Sequence, residues 1–357
     1  MVSANAYPVM GGVETHIYEV APRLLRAGFD ITILTTDRSG TLARGEEFQG
    51  VSVVRIPAWP RSRDYHLAPG ILRTIKRGRW DIVHCQGYHT LVPPLAMLAS
   101  LRAGIPYTLT FHSGGHGSQV RTMARPLQRM LMRPLLARAA KLIAVADFER
   151  EFFARHLKLP ADRFVTIPNG GEMPTLDQAD AVADPSLIVS VGRLERYKGH
   201  HRVIAALPHL IGDMPDVHLR IAGSGPYEPQ LRRLAHRLGV QDRVEIGSIP
   251  PTDRMGMATL MSRAALVTLL SDYEAHPVAV TEALGLRKRV LVADTSGLSE
   301  FAQRGFATAI PLRSTAAQTA RAILAAMAAP LPAQPHLPTW DDCAEQLAEA
   351  YRGILRS

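Results

Sequence analysis

A chain of 357 residues, 46% hydrophobic and 20% charged, has the balance of a globular protein and the length for two domains, each with its own core. No uncharged apolar run approaches a bilayer-spanning helix, and no basic segment followed by a hydrophobic one opens the chain. Neither a transmembrane helix nor a signal peptide is therefore expected, and the expected location is cytoplasmic. A net charge of +9 and a pI near 9.9 suit anionic partners such as nucleic acid, anionic lipid or phosphorylated small molecules; aromatics at 6% and the lack of a recognition motif argue against nucleic acid.

Met1–Asn5 reads as the end of a first strand, and since core strands normally run about five or six residues, its beginning is expected upstream. Tyr7 to His16 then form a turn that opens a helix running to about Ala27. In that turn Gly11 and Gly12 allow a phosphate to approach the backbone, and the helix amides favour its charge. Alternating patterns place strands at Asp30–Thr35, Val51–Ile56, Ile82–Cys85, Tyr107–Phe111, Leu142–Val145 and Phe164–Ile167, with helices between most of them, the signature of a parallel sheet covered on both faces. His112 follows one of these strands; unaided, a lone histidine is more often structural, and His16, His84, His89 and His116 are weaker candidates still. Cys85, in a strand-like stretch, and Cys343, in a helix-like one, read as reduced core thiols.

Between Gln119 and Lys141, Arg121, Arg125, Arg129 and Arg133 recur every four residues without an acid. Met123, Leu127, Met130, Leu131, Leu135 and Leu136 supply an apolar side. This is the pattern of a basic amphipathic helix on an anionic membrane; the alternative is a surface helix with a solvated basic face, since Pro126 and Pro134 interrupt the periodicity. Arg61, Arg63, Arg73, Lys76, Arg77 and Arg79 are candidates to extend the patch.

After Asn169-Gly170-Gly171, residues 172–185 are polar and acidic and read as a linker. A second α/β set follows, with strands at Leu187–Val191, Val217–Ala222, Val244–Ile249, Ala265–Leu270, Arg289–Ala293 and Thr308–Ile310. Arg193 and Lys198 lie in the loop after the first of these, placed to converge on one anion. Gly223 and Gly225 lie in the turn after the second, where a plain strand-to-helix connection is the competing reading. The apolar strand at Ala265–Leu270 leads into Glu274, Ala275, His276, Pro277 and Val278, with Pro277 expected in the first turn of the next helix and Glu282 further along it. Free first-turn amides would face a ligand, and carboxylates accept from its hydroxyls.

Together these stretches resemble the retaining glycosyltransferases of the GT-B fold, family 4. The resemblance rests on Pro-x-x-Gly-Gly-Val-Glu-Thr-His at residues 8–16, Gly-Arg-Leu-x-x-x-Lys-Gly at 192–199, Gly-Ser-Gly-Pro at 223–226, and Glu274 and Glu282 separated by seven residues in Tyr-Glu-x-x-Pro and Glu-Ala-Leu-Gly. It implies two doubly wound, Rossmann-like parallel-sheet domains facing a cleft: an acceptor-side domain at 1–171 joined by a crossover helix at 340–357, a linker at 172–185, and a nucleotide-sugar domain at 186–338. It further implies a retaining transfer from a nucleotide sugar to a lipid-linked, glycan or small-molecule acceptor, with no cofactor and no metal, there being no Asp-x-Asp pair. His112, Arg193, Lys198 and Glu274 would be catalytic. Gly11, Gly12, Gly223, Gly225, Ala275, His276, Pro277, Val278 and Glu282 would bind the donor, Arg193 and Lys198 at its diphosphate, Glu282 at the ribose and Glu274 at the sugar. Through its arginine-rich helix the enzyme would sit at the inner face of the membrane. Two alternatives stand beside this reading: a nucleotide-sugar epimerase on the same architecture, and a non-catalytic, membrane-associated sugar-nucleotide-binding protein.

Overall fold

The computed structural model describes residues 1–9, 11–61, 66–114, 119–176, 182–250, 252–331 and 337–356, with the side chains of the Gln119–Leu136 helix described from Met123 onward. The chain divides into two compact units. One comprises Met1–Ser113, Val120–Gly170 and Pro338–Ser357; the other comprises Gly171–Leu337 with the short Gly114–Gln119 stretch.

The first unit contains strands β1 (Thr32–Asp37), β2 (Gly45–Phe48), β3 (Val51–Pro57), β4 (Val83–Gln86), β5 (Tyr107–Thr110), β6 (Lys141–Ala144) and β7 (Phe164–Thr166). They form two runs, β1-β3-β2 and β4-β5-β6-β7, and Met1–Ser3 lies between them. Val2 bridges in parallel to Leu34 on one side and Cys85 on the other. Its N–H donates to His84 O at 2.7 Å, and Gln86 N–H donates to Val2 O at 2.8 Å. The short opening segment is thus the central strand of a continuous sheet, and the order of strands reverses at its edge with β4.

Every pairing in this sheet is parallel except β2 with β3, a hairpin absent from the sequence reading. The sequence Gly-Glu-Glu-Phe carries no hydrophobic alternation; what makes it a strand is the turn, where Gln49 (φ +49°) and Gly50 (φ +81°) are both left-handed as a two-residue hairpin requires. Arg55 of β3, buried, pairs across the hairpin with Glu46.

Helices cover this sheet in the expected periodic way. Gly12–Arg26 buries Ile17, Val20, Ala21 and Leu24. Trp340–Arg356 buries Trp340, Cys343, Ala344, Leu347, Ala348 and Tyr351, one stripe at helical spacing, and it packs on Gly12–Arg26. Its start is set by reciprocal bonds: Thr339 N–H donates to Asp342 Oδ2 at 2.8 Å while Asp342 N–H donates to Thr339 Oγ1 at 3.0 Å. Gln119–Leu136 is a single helix despite Pro126 and Pro134, both of which are exposed, so the carbonyls their rings leave unbonded can face water. Cys85 and Cys343 are buried free thiols, each pushed up to about 12 by burial.

The second unit contains β8 (Asp184–Val191), β9 (His218–Ala222), β10 (Val244–Gly247), β11 (Ala264–Leu269), β12 (Val290–Asp294) and β13 (Thr308–Pro311). β8 begins inside the stretch expected as linker, of which residues 177–181 lie outside the described residues. The sheet runs β10-β9-β8-β11-β12-β13, all parallel. Numbered from β8 this is 3-2-1-4-5-6, the dinucleotide-fold order, whose switch point falls between β8 and β11. Both faces are covered: Ile188, Leu219 and Leu266 join one core cluster, Val189, Val267 and Val292 the other.

Candidate active site

In sheets of this order ligands bind outside the carboxyl ends of the strands, at the switch point. Two loops emerge there in the second unit, after β8 and after β11, and they are held together by close backbone approach. Gly199 has φ +77°, and a Cβ on it would fall 1.9 Å from Leu270 O. Arg202 bonds Leu270 O and reaches Asp272 Oδ1 at 2.6 Å. The glycine turn after β9 joins the same assembly: Leu194 N–H donates to Ser224 O at 2.9 Å, and a Cβ on Gly223 would meet Gly192 O at 1.9 Å. Gly223 and Gly225 are thus demanded by backbone packing, whatever they do for a ligand.

From this platform Lys198 Nζ donates to Glu274 Oε1 at 2.6 Å, and the two side chains are only 17% and 11% exposed. Burial pulls the ammonium down, but Glu274 and Tyr197 more than offset it, and its pKa ends above the ordinary lysine value. Arg193, more exposed, bonds Tyr197 Oη at 3.0 Å and Glu195 Oε1 at 3.3 Å. Glu274 N–H donates to Ser296 Oγ at 2.9 Å, and Gly297 N–H to Glu274 O at 2.9 Å, fixing the carboxylate's backbone. Ala275 and Pro277 are buried; Pro277 is the N-cap of the Val278–Gly285 helix, one residue earlier than expected. His276 packs 5.6 Å from the Phe301 ring, and burial together with the Arg304 charge pushes it down to about 4. Glu282, buried, accepts from Arg254 Nη2 at 2.7 Å, and the same nitrogen reaches Glu172 O at 2.9 Å.

Gly11, Gly12 and His112 belong to the first unit. Gly11 is the extended N-cap of the Gly12–Arg26 helix at the carboxyl end of the central strand segment, and a Cβ on Gly12 would meet nothing within 4 Å. His112 follows β5 with φ +44°, a left-handed conformation that L-residues adopt at a cost. Its ring stands 4.6 Å from His16, edge to face, and its Nε2 is 2.8 Å from Gln86 Oε1. Burial and the neighbouring His16, His84 and His89 rings hold His112 well below the usual histidine value; burial likewise pushes His16, bonded to Asn169 Oδ1 at 2.8 Å, down to about 4.

Residues 10–171 match the model of Glycosyltransferase Family 4, and residues 175–336 that of the Glycosyl transferases group 1. The chain belongs to the family-4 glycosyltransferases. It is 26% identical over 314 residues to the phosphatidyl-myo-inositol mannosyltransferase of Mycolicibacterium smegmatis, covering 83% of this chain and 79% of that protein. It is 28% identical over 287 residues to the GDP-mannose:cellobiosyl-diphosphopolyprenol alpha-mannosyltransferase of Xanthomonas campestris, covering 78% and 73%. Among solved structures, sucrose-phosphate synthase from Thermosynechococcus elongatus superposes with a TM-score of 0.82 at 20% identity over 99% of this chain and 98% of that one, which supports the GT-B fold.

Two elements of this glycosyltransferase escaped the sequence reading. Arg254, which holds Glu282, was indistinguishable from any surface arginine, because its partner lies 28 residues away. Gln86, which bonds His112, sits in a strand whose pattern signals only burial; His84, two residues before it, was named only as a weak candidate. The basic helix also differs from expectation. Arg129 lies over the Phe152 ring at 5.3 Å and Arg133 Nε donates to Leu157 O at 2.7 Å, so these arginines lean onto the neighbouring Asp147–Leu157 helix. Met132 and Leu136 are buried, while Met123, Leu127, Met130 and Leu131 are 81%, 55%, 62% and 67% exposed. Arg125 is half-buried, and the Arg121 side chain, with Arg63 and His116, lies outside the described residues.

Proposed function

We propose that this glycosyltransferase moves a sugar from a nucleotide-sugar donor, with retention at the anomeric carbon and without a metal ion, to an acceptor anchored in a lipid surface. The observation that carries the reading is the pairing of Lys198 with Glu274 at the switch point of the second unit's sheet. A lysine that contacts a carboxylate there can be shared with a diphosphate when the donor arrives. Arg193 and Lys198 then hold the diphosphate, Gly11 and Gly12 admit its oxygens, and the N–H groups of Val278 and Ala279, first in the helix after the Pro277 N-cap, add partial positive charge. Glu274 accepts from the sugar hydroxyls, Glu282, held by Arg254, from those of the ribose, and His112 contacts a hydroxyl near the reacting carbon.

With no enzyme nucleophile assigned, the acceptor oxygen attacks on the face the diphosphate leaves. The bond from C1 to the phosphate oxygen breaks, the acceptor oxygen bonds C1, and the acceptor proton passes to the departing phosphate. Charge grows on the leaving oxygen, and each prepositioned donor stabilises it by about 3–4 kcal/mol on the scale of measured oxyanion sites. Lys198→Ala should therefore lower kcat about 10²- to 10³-fold. The exposed apolar ridge Met123, Leu127, Met130 and Leu131, with Arg125 beside it, supports a peripheral seat on an anionic membrane, and both named relatives act on lipid-borne acceptors by their descriptions.

Thermal shifts of EDTA-treated protein against UDP-, GDP-, ADP- and dTDP-sugars test the donor assignment: a ligand at a hundred times its Kd stabilises by about 2.7 kcal/mol. A selective shift names the donor. The anomeric configuration of the product, read by NMR, tests retention, and cosedimentation with anionic vesicles, lost when the four apolar ridge residues become serine, tests the membrane seat.

A further inference from the structure

Behind His112 the first unit carries a chain of buried polar side chains that holding a donor does not require. Gln86 ends β4 and His84 stands two residues before it, so both project from the same face of the strand. Gln86 Oε1 lies 2.8 Å from His112 Nε2, and its amide nitrogen turns to the His84 ring, 3.4 Å from each ring nitrogen. His84 in turn bonds the Tyr351 hydroxyl through Nδ1 at 2.5 Å and Thr110 Oγ1 through Nε2 at 2.7 Å. Tyr351 comes from the Trp340–Arg356 helix, and Thr110 faces Gln86 across the β4–β5 pairing. Gln86 and His84 are 3% and 2% exposed, so these bonds do not compete with water.

A carboxamide oxygen only accepts, so its partner His112 Nε2 must carry the proton, and a neutral imidazole then has its lone pair on Nδ1. Resting on the role given to His112 above, we infer that Gln86 is a positioning residue that fixes His112 as the Nε2–H tautomer, so that Nδ1 meets a substrate hydroxyl as an acceptor. The left-handed backbone at His112 aims the ring, and the Gln86–His84–Tyr351 chain fixes which of its ends is basic. The surroundings keep the ring neutral. His16 packs on it from the Gly12–Arg26 helix, His84 and His89 lie near it from β4 and the following loop, and the Glu149 carboxylate of the Asp147–Leu157 helix is occupied by the Ser113 and Val145 amides at 2.6 and 2.8 Å. Burial and these rings hold His112 well below the ordinary histidine value.

The test reads the tautomer apart from the reaction. In ¹⁵N-histidine-labelled full-length protein, with the His112 signals identified by their loss in His112→Asn, long-range ¹H–¹⁵N spectra between pH 6 and 8 should show a protonated Nε2 and an unprotonated Nδ1. Gln86→Met, which keeps the volume and removes the acceptor, should lower kcat about 10- to 100-fold, taking residues that orient metal-ligating histidines as the scale, with donor KM unchanged. Gln86→Glu should stabilise the imidazolium, so that kcat/KM falls as pH drops through the raised His112 pKa, where the wild type stays flat. A His112 protonated on Nδ1 in the wild type, or a Gln86→Glu pH profile that overlays the wild type, overturns the inference. Full activity in His112→Asn instead overturns the role of His112 itself, and the catalytic consequence of its tautomer with it.

Discussion

Gly12→Ala separates a glycine that admits a phosphate from one that merely opens a helix. Gly12 is the exposed first residue of the Gly12–Arg26 helix, its backbone is not left-handed, and a Cβ there would meet no heavy atom within 4 Å. The folded chain therefore accepts the methyl group without strain. Replacing glycine by alanine at such a position should leave stability unchanged or raise it by about 0.5–1 kcal/mol, because the unfolded chain loses freedom. The proposed donor meets a different surface: a phosphate oxygen placed at hydrogen-bonding distance from the Gly12 amide would compete for the space the methyl fills. Losing one hydrogen bond to a charged group costs about 1.5–3 kcal/mol, or about 10- to 150-fold in affinity. Calorimetric titration with the nucleoside diphosphate, beside a thermal unfolding scan, reads both quantities. An unchanged Tm with a donor Kd within about twofold of wild type would refute phosphate approach at this backbone.

Gly223→Ala should behave oppositely: its Cβ would lie 1.9 Å from Gly192 O, and prising the loops apart endangers the Gly192–Ala222 and Leu194–Ser224 bonds of 3.1 and 2.9 Å. A loss of about 1–3 kcal/mol in chemical denaturation is expected from two such bonds, and an unchanged midpoint would count against the packing argument. Arg254→Ala leaves Glu282, with its side chain 7% exposed, without its guanidinium; donor affinity should fall while kcat at saturating donor changes little, and a kcat defect alone would place Arg254 elsewhere in the reaction. Cys85 and Cys343, buried and pushed up to about 12, should react with Ellman's reagent only on unfolding; rapid labelling of the native protein would contradict their burial.

The proposed donor-binding residues could be nominated from the sequence because they cluster in it. Arg193 and Lys198 share one loop, and Glu274 and Glu282 share another with its helix, so strand-end position and residue type were enough to nominate them. That Lys198 would bond Glu274 was not legible, since the contact joins loops 76 residues apart and depends on the strand order placing β8 beside β11. The strands themselves were found wherever burial imposed an apolar run. β2 was missed because an edge hairpin can be built from Gly-Glu-Glu-Phe when a left-handed turn and an arginine partner hold it. The basic helix shows the limit of periodicity: the stripe at four-residue spacing was real, but which side faced the protein depended on Phe152 and the Leu157 carbonyl, which no helical wheel contains.

The first unit is assembled from both flanks of the second, since Pro338–Ser357 packs with Met1–Gly170 across an intervening Gly171–Leu337. During synthesis the second unit has all its residues before the first has its last helix. Until Trp340 and Tyr351 arrive, the Gly12–Arg26 helix lacks its packing partner and His84 Nδ1 lacks the hydroxyl it bonds. The nascent first unit thus waits with an open apolar face and an incomplete polar chain behind His112 until its last helix has left the ribosome.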